Sequence, residues 1–201
     1  MSETQRRGHR WYAAMWDWTV KRENAHYREA RQEVAAGSRG RVLELGVGTG
    51  PNWAFLPPGI EYLGIDPIPS SWSARRHATS EGRSVDLRAA PAEELPFDDA
   101  SFDTVMVTLT LCTVDDLARS LAETRRVLRP GGEFRFWEHV RPDGRRSGRL
   151  YDLLTPLSIR LAGGCRPNRR TLEAVAAAGF EIRSLRRFKS GGYPRAAIGL
   201  P

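Results

Sequence analysis

The stretch Val42-Leu43-Glu44-Leu45-Gly46-Val47-Gly48-Thr49-Gly50 decides the fold of this chain. Residues 42–45 suit a buried parallel strand, and three glycines follow at alternate positions. Because glycine tolerates positive φ and lets a ligand approach the backbone, the pattern predicts a strand that ends in a ligand-binding turn. Pro51 follows the last glycine, so the spacing is G-x-G-x-G and differs from the G-x-G-x-x-G of dinucleotide-binding proteins. The turn therefore favours an adenosyl ligand over a pyrophosphate.

An acidic residue stands where a second strand should end. Residues 60–65 are predicted to form this strand, and Asp66 follows it. In a doubly wound sheet, a carboxylate at the tip of the second strand can accept hydrogen bonds from both ribose hydroxyls. Without the glycine turn, Asp66 would be interpreted as an exposed loop acid. With the turn, the sequence predicts that Asp66 binds the ribose of the ligand.

Strand and helix signals alternate along the rest of the chain. Further strands are predicted at residues 85–90, 104–111, 134–140, 180–185 and 196–200. Helices are predicted at residues 11–36, 70–81, 117–128 and 172–178. Residues 141–167 lie between the predicted strand at 134–140 and the predicted helix at 172–178. They form a basic insertion with an apolar run that Pro156 interrupts, and this pattern predicts a helical lid.

Two further patterns carry a family resemblance. Glu44 completes E-x-G-x-G-x-G, and Arg126-Val127-Leu128-Arg129-Pro130-Gly131-Gly132 predicts a helix stop, a tight turn and a strand that re-enters the sheet. Together with Asp66, these residues resemble motif I and the fourth-helix to fifth-strand junction of class I S-adenosylmethionine-dependent methyltransferases, over residues 39–140. The resemblance implies an α/β fold, with a Rossmann-like, doubly wound sheet of seven strands that is mostly parallel, an antiparallel last strand, and helices on both faces.

The resemblance also implies a single methyltransferase domain. Its parts would be an N-terminal helical lid at 1–38, a cofactor-binding core at 39–140, and a substrate-side lid with the C-terminal strands at 141–201. Trp11, Met15 and Trp18 recur at helical spacing in the first part, so something apolar must cover them. The alternative to a lid is an interfacial helix that gives the protein a peripheral membrane contact.

S-adenosyl-L-methionine is the cofactor that the resemblance implies. Its contacts are expected mainly around the carboxyl ends of the strands, at Glu44, Gly46, Gly48, Gly50, Asn52, Asp66, Pro67, Ala92, Glu93, Thr108 and Leu109. Related enzymes commonly carry an acid that binds the adenine amino group where this chain has Pro91, so Glu93 or Glu94 would replace it.

Two residues at the end of the fifth strand are candidates for catalysis. Glu138 and His139 would reach the acceptor, because ligands bind outside the carboxyl ends of the strands in an open parallel sheet. Either could act as a general base for a hydroxyl or an amine. The alternative is that His139 only packs or forms local hydrogen bonds. No metal ligands are expected, since Cys112 and Cys165 lie outside any C-x-x-C motif and no histidine stands at ligand spacing.

These features predict a methyltransferase that moves a methyl group to a small-molecule thiol, hydroxyl or amine by in-line displacement. Short segments further resemble the methyltransferase-like group that includes membrane-associated alkyl-thiol methyltransferases, namely Gly50-Pro51-Asn52, Leu111-Cys112-Thr113-Val114, Trp137-Glu138-His139-Val140, and Gly164-Cys165 with Arg170-Thr171-Leu172. A thiol acceptor would suit this subgroup, because a thiol is already partly ionised near neutral pH.

The composition limits which functions are possible. A chain of 201 residues with 40% hydrophobic and 27% charged residues fits one globular domain. The net charge of +7 raises the possibility of a nucleic-acid-binding or RNA-modifying protein, but the basic residues are spread along the chain, so no nucleic-acid partner is expected. A non-catalytic cofactor-binding module and a nicotinamide oxidoreductase also compete with the methyltransferase hypothesis. The sequence has no secretory signal and no long apolar run, which predicts a cytoplasmic protein and leaves the oligomeric state open.

Overall fold

The structure is a computed structural model that describes residues 25–67, 85–190 and 193–200. Its elements are, in chain order, α1 Ala25–Ala35, β1 Arg41–Leu45, a short 3-10 helix Trp53–Phe55, β2 Glu61–Asp66, β3 Asp86–Ala89, β4 Phe102–Thr108, α2 Leu117–Val127, β5 Leu128–His139, α3 Arg145–Leu161, α4 Thr171–Ala177, β6 Ser184–Ser190 and β7 Tyr193–Leu200.

The strands form one seven-stranded sheet with the order β3-β2-β1-β4-β5-β7-β6. Strands β1 to β5 are parallel to one another. Strand β7 runs antiparallel to both of its neighbours, β5 and β6. The predicted α/β, Rossmann-like fold is confirmed. The strand order reverses between β1 and β4, and in such sheets a ligand crevice opens at this point, beyond the carboxyl ends of the strands.

Alternate residues of the central strands face opposite sides of the sheet, and helices cover both sides. On one side, Leu43 belongs to an apolar cluster with Leu121 of α2 and Val175 of α4. On the other side, Val42 belongs to a cluster with Val34 of α1. Each fully buried Leu or Val contributes about 1.5 to 3 kcal/mol relative to exposure, so the two clusters hold the strand ends in fixed positions.

Strand β4 is shorter than the sequence predicts. It ends at Thr108, whereas the prediction covered residues 104–111. Leu109 has a φ of +56°, in the left-handed region that side-chain-bearing residues rarely adopt, and this turns the chain out of the sheet. The residues that follow therefore form a loop at the carboxyl edge of the sheet.

Two other elements also differ from their predicted form. Strand β6 begins at Ser184, because the ring of Phe180 packs 5.0 Å from the ring of Phe134, between centroids, and remains in the preceding loop. Strand β7 begins at Tyr193, before its predicted start at residue 196. Helix α3 lies within the predicted helical segment 141–167 and continues through Pro156. The aromatic stripe at residues 11–18 and the helix at residues 70–81 lie outside the described residues.

Helix α3 exposes a row of apolar side chains, among them Leu150, Leu153, Leu154, Leu157 and Leu161. Leu153 is 75% exposed. An exposed apolar stripe of this kind is typical of a surface that meets another molecule or segment. Among the helices that the structure describes, none combines the length and the hydropathy needed to cross a bilayer.

Candidate functional site

The turn after β1 has the backbone conformation that its glycines predict. Gly46, Gly48 and Gly50 have φ values of +71°, +55° and +79°. A Cβ at Gly46 would lie 2.2 Å from Oγ1 of Thr110, so a side chain there would collide with the loop after β4. A Cβ at Gly48 would meet no atom within 4 Å. The turn therefore packs tightly on one side and borders open space on the other.

The end of β2 is joined to this turn. The Gly48 amide donates a hydrogen bond of 3.0 Å to Oδ2 of Asp66. Pro67 follows and is exposed. A small crevice separates the ends of β1, β2 and β3, and it is lined by Val47, Gly48, Gly64, Ile65, Asp66, Leu87, Arg88 and Ala89. The structure thus brings the glycine turn and Asp66 together, as a shared cofactor site requires.

A buried polar network lies behind the turn. The carboxylate of Glu44 accepts from Nδ2 of Asn52 at 2.7 Å and from the Tyr62 hydroxyl at 2.5 Å. Asn52 also donates to Oγ1 of Thr108 at 2.9 Å, and Arg31 donates to both Asn52 and Thr108 at 3.1 Å. Burial raises the pKa of Glu44 to about 7, although the hydrogen bonds from Tyr62 and Asn52 lower it.

Three of the predicted cofactor residues form hydrogen bonds within this network. Glu44, Asn52 and Thr108 bond one another across β1, the turn and β4, and Glu44 is only 1% exposed. Their bonds fix the turn against the neighbouring strand. The three side chains therefore position the crevice, and a direct contact between any of them and the cofactor stays a prediction.

Leu109, another predicted cofactor residue, stands at the strained end of β4. Its amide donates to the carbonyl of Trp137 at 2.8 Å, which holds it beside the end of β5. A left-handed backbone at a residue with a side chain costs about 1 to 2 kcal/mol. Such strain is retained where the surrounding structure enforces it, and it clusters at functional sites.

The residues predicted to bind the adenine ring lie in the segment after β3. Ala92 is buried. The carboxylate of Glu93 accepts from the amides of Asp115 and Asp116 at 2.8 and 3.1 Å, so it binds the loop that begins α2. Glu94 is exposed. The adenine contact of Glu93 stays a prediction, and its carboxylate already has partners within the chain.

Glu138, predicted as a catalytic residue, is completely buried and holds the loop after β4. Its carboxylate accepts hydrogen bonds from the amides of Thr110 and Leu111 at 2.6 Å and from the amide of Cys112 at 3.2 Å. Burial raises the pKa of Glu138 to about 7, whereas the amide donors lower it. The side chain therefore acts first as a positioning group for the loop.

His139 lies against two cysteines that are distant in sequence. Its Nδ1 is 3.6 Å from Sγ of Cys112 and 3.5 Å from Sγ of Cys165, and all three side chains are buried. A hydrogen bond from the Cys112 thiol lowers the pKa of Cys165, and the neighbouring imidazole lowers it further. The same contact between the two thiols raises the pKa of Cys112, and burial raises it as well. Sequence spacing could not indicate this cluster, because the three residues meet only in the folded chain.

A larger cavity, of about 570 Å³, lies at the opposite edge of the sheet. It is lined by the first residues of β5 and by the segment before β6, including Arg129, Phe134 and Arg183. Ligands of doubly wound sheets bind beyond the carboxyl ends of the strands, and this cavity is beyond the amino ends. We therefore place the candidate site at the smaller crevice beside Gly48.

Comparison with known proteins agrees with this geometry. Residues 43–136 match the family model described as a methyltransferase domain. The chain is also 37% identical to the thiol S-methyltransferase TMT1B of Homo sapiens, over 72% of this chain and 62% of that protein. The chain belongs to the class I S-adenosylmethionine-dependent methyltransferases. The methyl donor of these methyltransferases is S-adenosyl-L-methionine.

Two other known proteins are similar to this chain in sequence or in structure. The chain is 32% identical to the ubiquinone/menaquinone biosynthesis C-methyltransferase UbiE of Geobacter sp. (strain M21), over 57% of this chain and 52% of that protein. The structure matches the [4+2]-cyclase SpnF with a TM-score of 0.63 and 27% identity, over 81% of this chain and 58% of that one. The chain thus spans 62% or less of the length of the proteins named here.

The residues of the crevice fit the cofactor of the methyltransferases. The open side of Gly48 admits a ligand close to the backbone, and Asp66 offers a carboxylate at the adjacent strand end. A carboxylate can accept from both hydroxyls of a ribose. Gly48 and Asp66 are therefore the residues that would hold the nucleoside part of S-adenosyl-L-methionine.

Proposed function

We propose that this chain transfers the methyl group of S-adenosyl-L-methionine to a small-molecule thiol. The observation that carries the proposal is the crevice beside Gly48 and Asp66, at the carboxyl ends of β1 and β2. The names of the thiol S-methyltransferase relatives support sulfur as the acceptor atom.

Binding of the cofactor would use few side chains. Asp66 would accept hydrogen bonds from the ribose, and the turn at Gly48 would allow close approach to the backbone. Glu44 and Asn52 would hold that turn in place. When bound, S-adenosyl-L-methionine supplies an electrophilic methyl group together with its own leaving group. The chain then has to align the acceptor and exclude water.

A thiol acceptor agrees with the surroundings of the two predicted bases. Glu138 binds three backbone amides, and His139 lies against two sulfur atoms. A thiol of pKa about 8.5 is already a few per cent ionised at about pH 7, so it can attack without a strong base. Hydroxyls and amines would depend more on such a base. Alignment of the acceptor therefore carries more weight in this proposal than proton removal by Glu138 or His139.

The test is transfer of radiolabelled methyl from the cofactor to a panel of alkyl thiols, phenols and amines. We expect label in the thiol products and inhibition by S-adenosylhomocysteine. Label in oxygen or nitrogen products alone would refute the thiol acceptor. A chain that binds the cofactor and labels nothing would refute methyl transfer and favour a non-methylating function, as the likeness to a [4+2]-cyclase allows.

Three sequence-based expectations belong to the same proposal: a cytoplasmic location, a small-molecule acceptor in place of nucleic acid, and the alternative of a peripheral membrane contact through the N-terminal segment. Salt-dependent retardation of generic nucleic acid would contradict the second expectation. Flotation of the full chain with liposomes would support the third.

A further inference from the structure

A cluster of three potential metal ligands lies near the carboxyl ends of β4 and β5. Cys112 comes from the loop after β4, His139 from the last position of β5, and Cys165 from the loop after α3. Their ligand atoms all lie within 4.8 Å of one another, and all three side chains are buried. The methyl-transfer proposal uses none of the three as a ligand for a metal.

The spacing of these atoms matches a tetrahedral zinc site. With Zn–S bonds of about 2.3 Å and Zn–N bonds of about 2.0 to 2.1 Å, tetrahedral angles place sulfur and nitrogen about 3.6 Å apart. The two observed distances from the imidazole nitrogen to sulfur are 3.6 and 3.5 Å. The same geometry places two sulfurs about 3.8 Å apart, so Cys112 and Cys165 would need to approach by about 1 Å at most.

The backbone that carries the ligands is held by its own contacts. Glu138 binds the amides of residues 110–112, which fixes the loop that carries Cys112. The Arg166 amide donates to the carbonyl of Cys112 at 2.8 Å, and the Arg166 side chain donates to the carbonyls of Thr113 and Val114, so the loop after α3 is held against the same segment. Ligands fixed in this way lose little freedom when a metal binds.

We propose that Cys112, His139 and Cys165 bind one zinc ion and leave a fourth coordination position for an exogenous ligand. Two cysteines and one histidine with an open position are a known ligand set of zinc, and two thiolates balance the charge of the ion. The soft sulfur donors disfavour magnesium and calcium, which prefer oxygen. The His139 Nδ1 lies almost equally far from both sulfurs, as coordination of a shared metal ion requires.

Metal analysis of the full chain tests this proposal without any measurement of methyl transfer. The protein is purified with a non-chelating reductant, loaded with zinc, freed of excess metal and examined by elemental analysis. We expect about one zinc per chain, and a sulfur-to-metal charge-transfer band when cobalt(II) replaces zinc. Cys112→Ser, Cys165→Ser and His139→Ala should each lower the zinc affinity at least about tenfold. His26→Ala removes an exposed histidine and serves as the matched control, with unchanged affinity.

The outcomes separate the possibilities even where a variant fails to fold. For wild-type protein, zinc should raise the melting temperature and magnesium should not, since a ligand that binds only the folded state stabilises it. A folded wild-type chain with two titratable thiols and no zinc bound at micromolar concentration would overturn the proposal. Equal zinc binding by the three variants would overturn it as well. If Cys112 and Cys165 instead formed a disulfide under the reducing conditions used, the zinc proposal would be overturned, and the two cysteines would be a redox pair.

Discussion

The amide of Gly48 donates a hydrogen bond of 3.0 Å to the carboxylate of Asp66. This bond connects the turn after β1 with the end of β2, so the position of the acid is fixed within the folded chain. A carboxylate can accept several hydrogen bonds at once, and Asp66 can therefore bind a ligand while it keeps its bond to the turn. Preorganisation of this kind lowers the entropic cost of binding.

Replacing Asp66 should weaken binding of the cofactor. Asp66→Ala removes charge-assisted hydrogen bonds worth about 1.5 to 3 kcal/mol, which corresponds to about 10- to 100-fold in affinity for S-adenosyl-L-methionine and S-adenosylhomocysteine. Titration calorimetry measures the change. Asp98→Ala, at an exposed loop acid, is the control. An unchanged dissociation constant for Asp66→Ala would remove Asp66 from the cofactor site, and binding of NAD by the wild type would contradict the cofactor assignment.

A pair of glycine substitutions separates backbone strain from contact with the ligand. Gly48 and Gly59 have φ values of +55° and +78°, and a Cβ at either position would meet no atom within 4 Å. Each change to alanine should therefore lower the free energy of unfolding by a similar amount, about 1 to 2 kcal/mol. Only Gly48→Ala places a methyl group beside the crevice, so it alone should weaken cofactor binding, by about tenfold or more. Equal affinities in the two variants would show that the ligand stays away from Gly48.

The raised pKa of Glu44 predicts a pH-dependent stability. Its folded-state pKa of about 7 exceeds the ordinary value of 4.5, so the folded chain keeps this proton where the unfolded chain has lost it. The free energy of unfolding should therefore fall as the pH rises from about 4.5 to about 7, with a contribution from Glu44 on the order of 3 kcal/mol. Urea unfolding at several pH values should show a shallower slope in Glu44→Gln.

A second variant of the same network should change this slope in the opposite direction. The Tyr62 hydroxyl donates to Glu44 and lowers its pKa, so Tyr62→Phe removes a bond that favours the charged carboxylate. The free energy of unfolding of Tyr62→Phe should fall more steeply with pH than that of the wild type. If both variants kept the wild-type slope, protonation of Glu44 would not be linked to folding.

Glu138 should contribute to stability through the loop that it binds. Glu138→Gln replaces one acceptor oxygen with an amide donor, which then faces backbone amides that also donate. We expect a loss of about 1 to 3 kcal/mol in the free energy of unfolding, measured in urea at pH 8. Glu94→Gln, at an exposed side chain, is the control. A variant as stable as the wild type but inactive would instead favour the predicted catalytic role.

Some parts of the site could be predicted from the sequence, because they depend on the conformational preferences of a few neighbouring residues and on the geometry of parallel sheets. The glycines at positions 46, 48 and 50 permit positive φ, and a parallel sheet brings the ends of β1 and β2 to one edge, so Asp66 could be placed beside them. The end of β4 could not be predicted, since residues 109–111 are β-branched or apolar, as in a strand, and only the fold shows that Leu109 is left-handed.

The cluster around His139 was missed for a related reason. Metal-ligand motifs are recognised by short spacing, whereas these ligands come from three segments that tertiary structure brings together. The signal that could have indicated it was the pair of cysteines, each in a segment that resembles the same family. Burial of Glu138 was also not predictable, because a carboxylate at a strand end is as consistent with an exposed catalytic group as with a buried one.

The position of β7 in the sheet has a consequence for folding of the newly made chain. This strand follows β6 in the chain but lies between β5 and β6 in the sheet. As the protein is synthesised, β6 emerges before it has any strand to pair with, and the edge of β5 stays open until β7 is complete. Unpaired strand edges promote aggregation, so the pairing of residues 193–200 with β5 protects an edge that would otherwise be open.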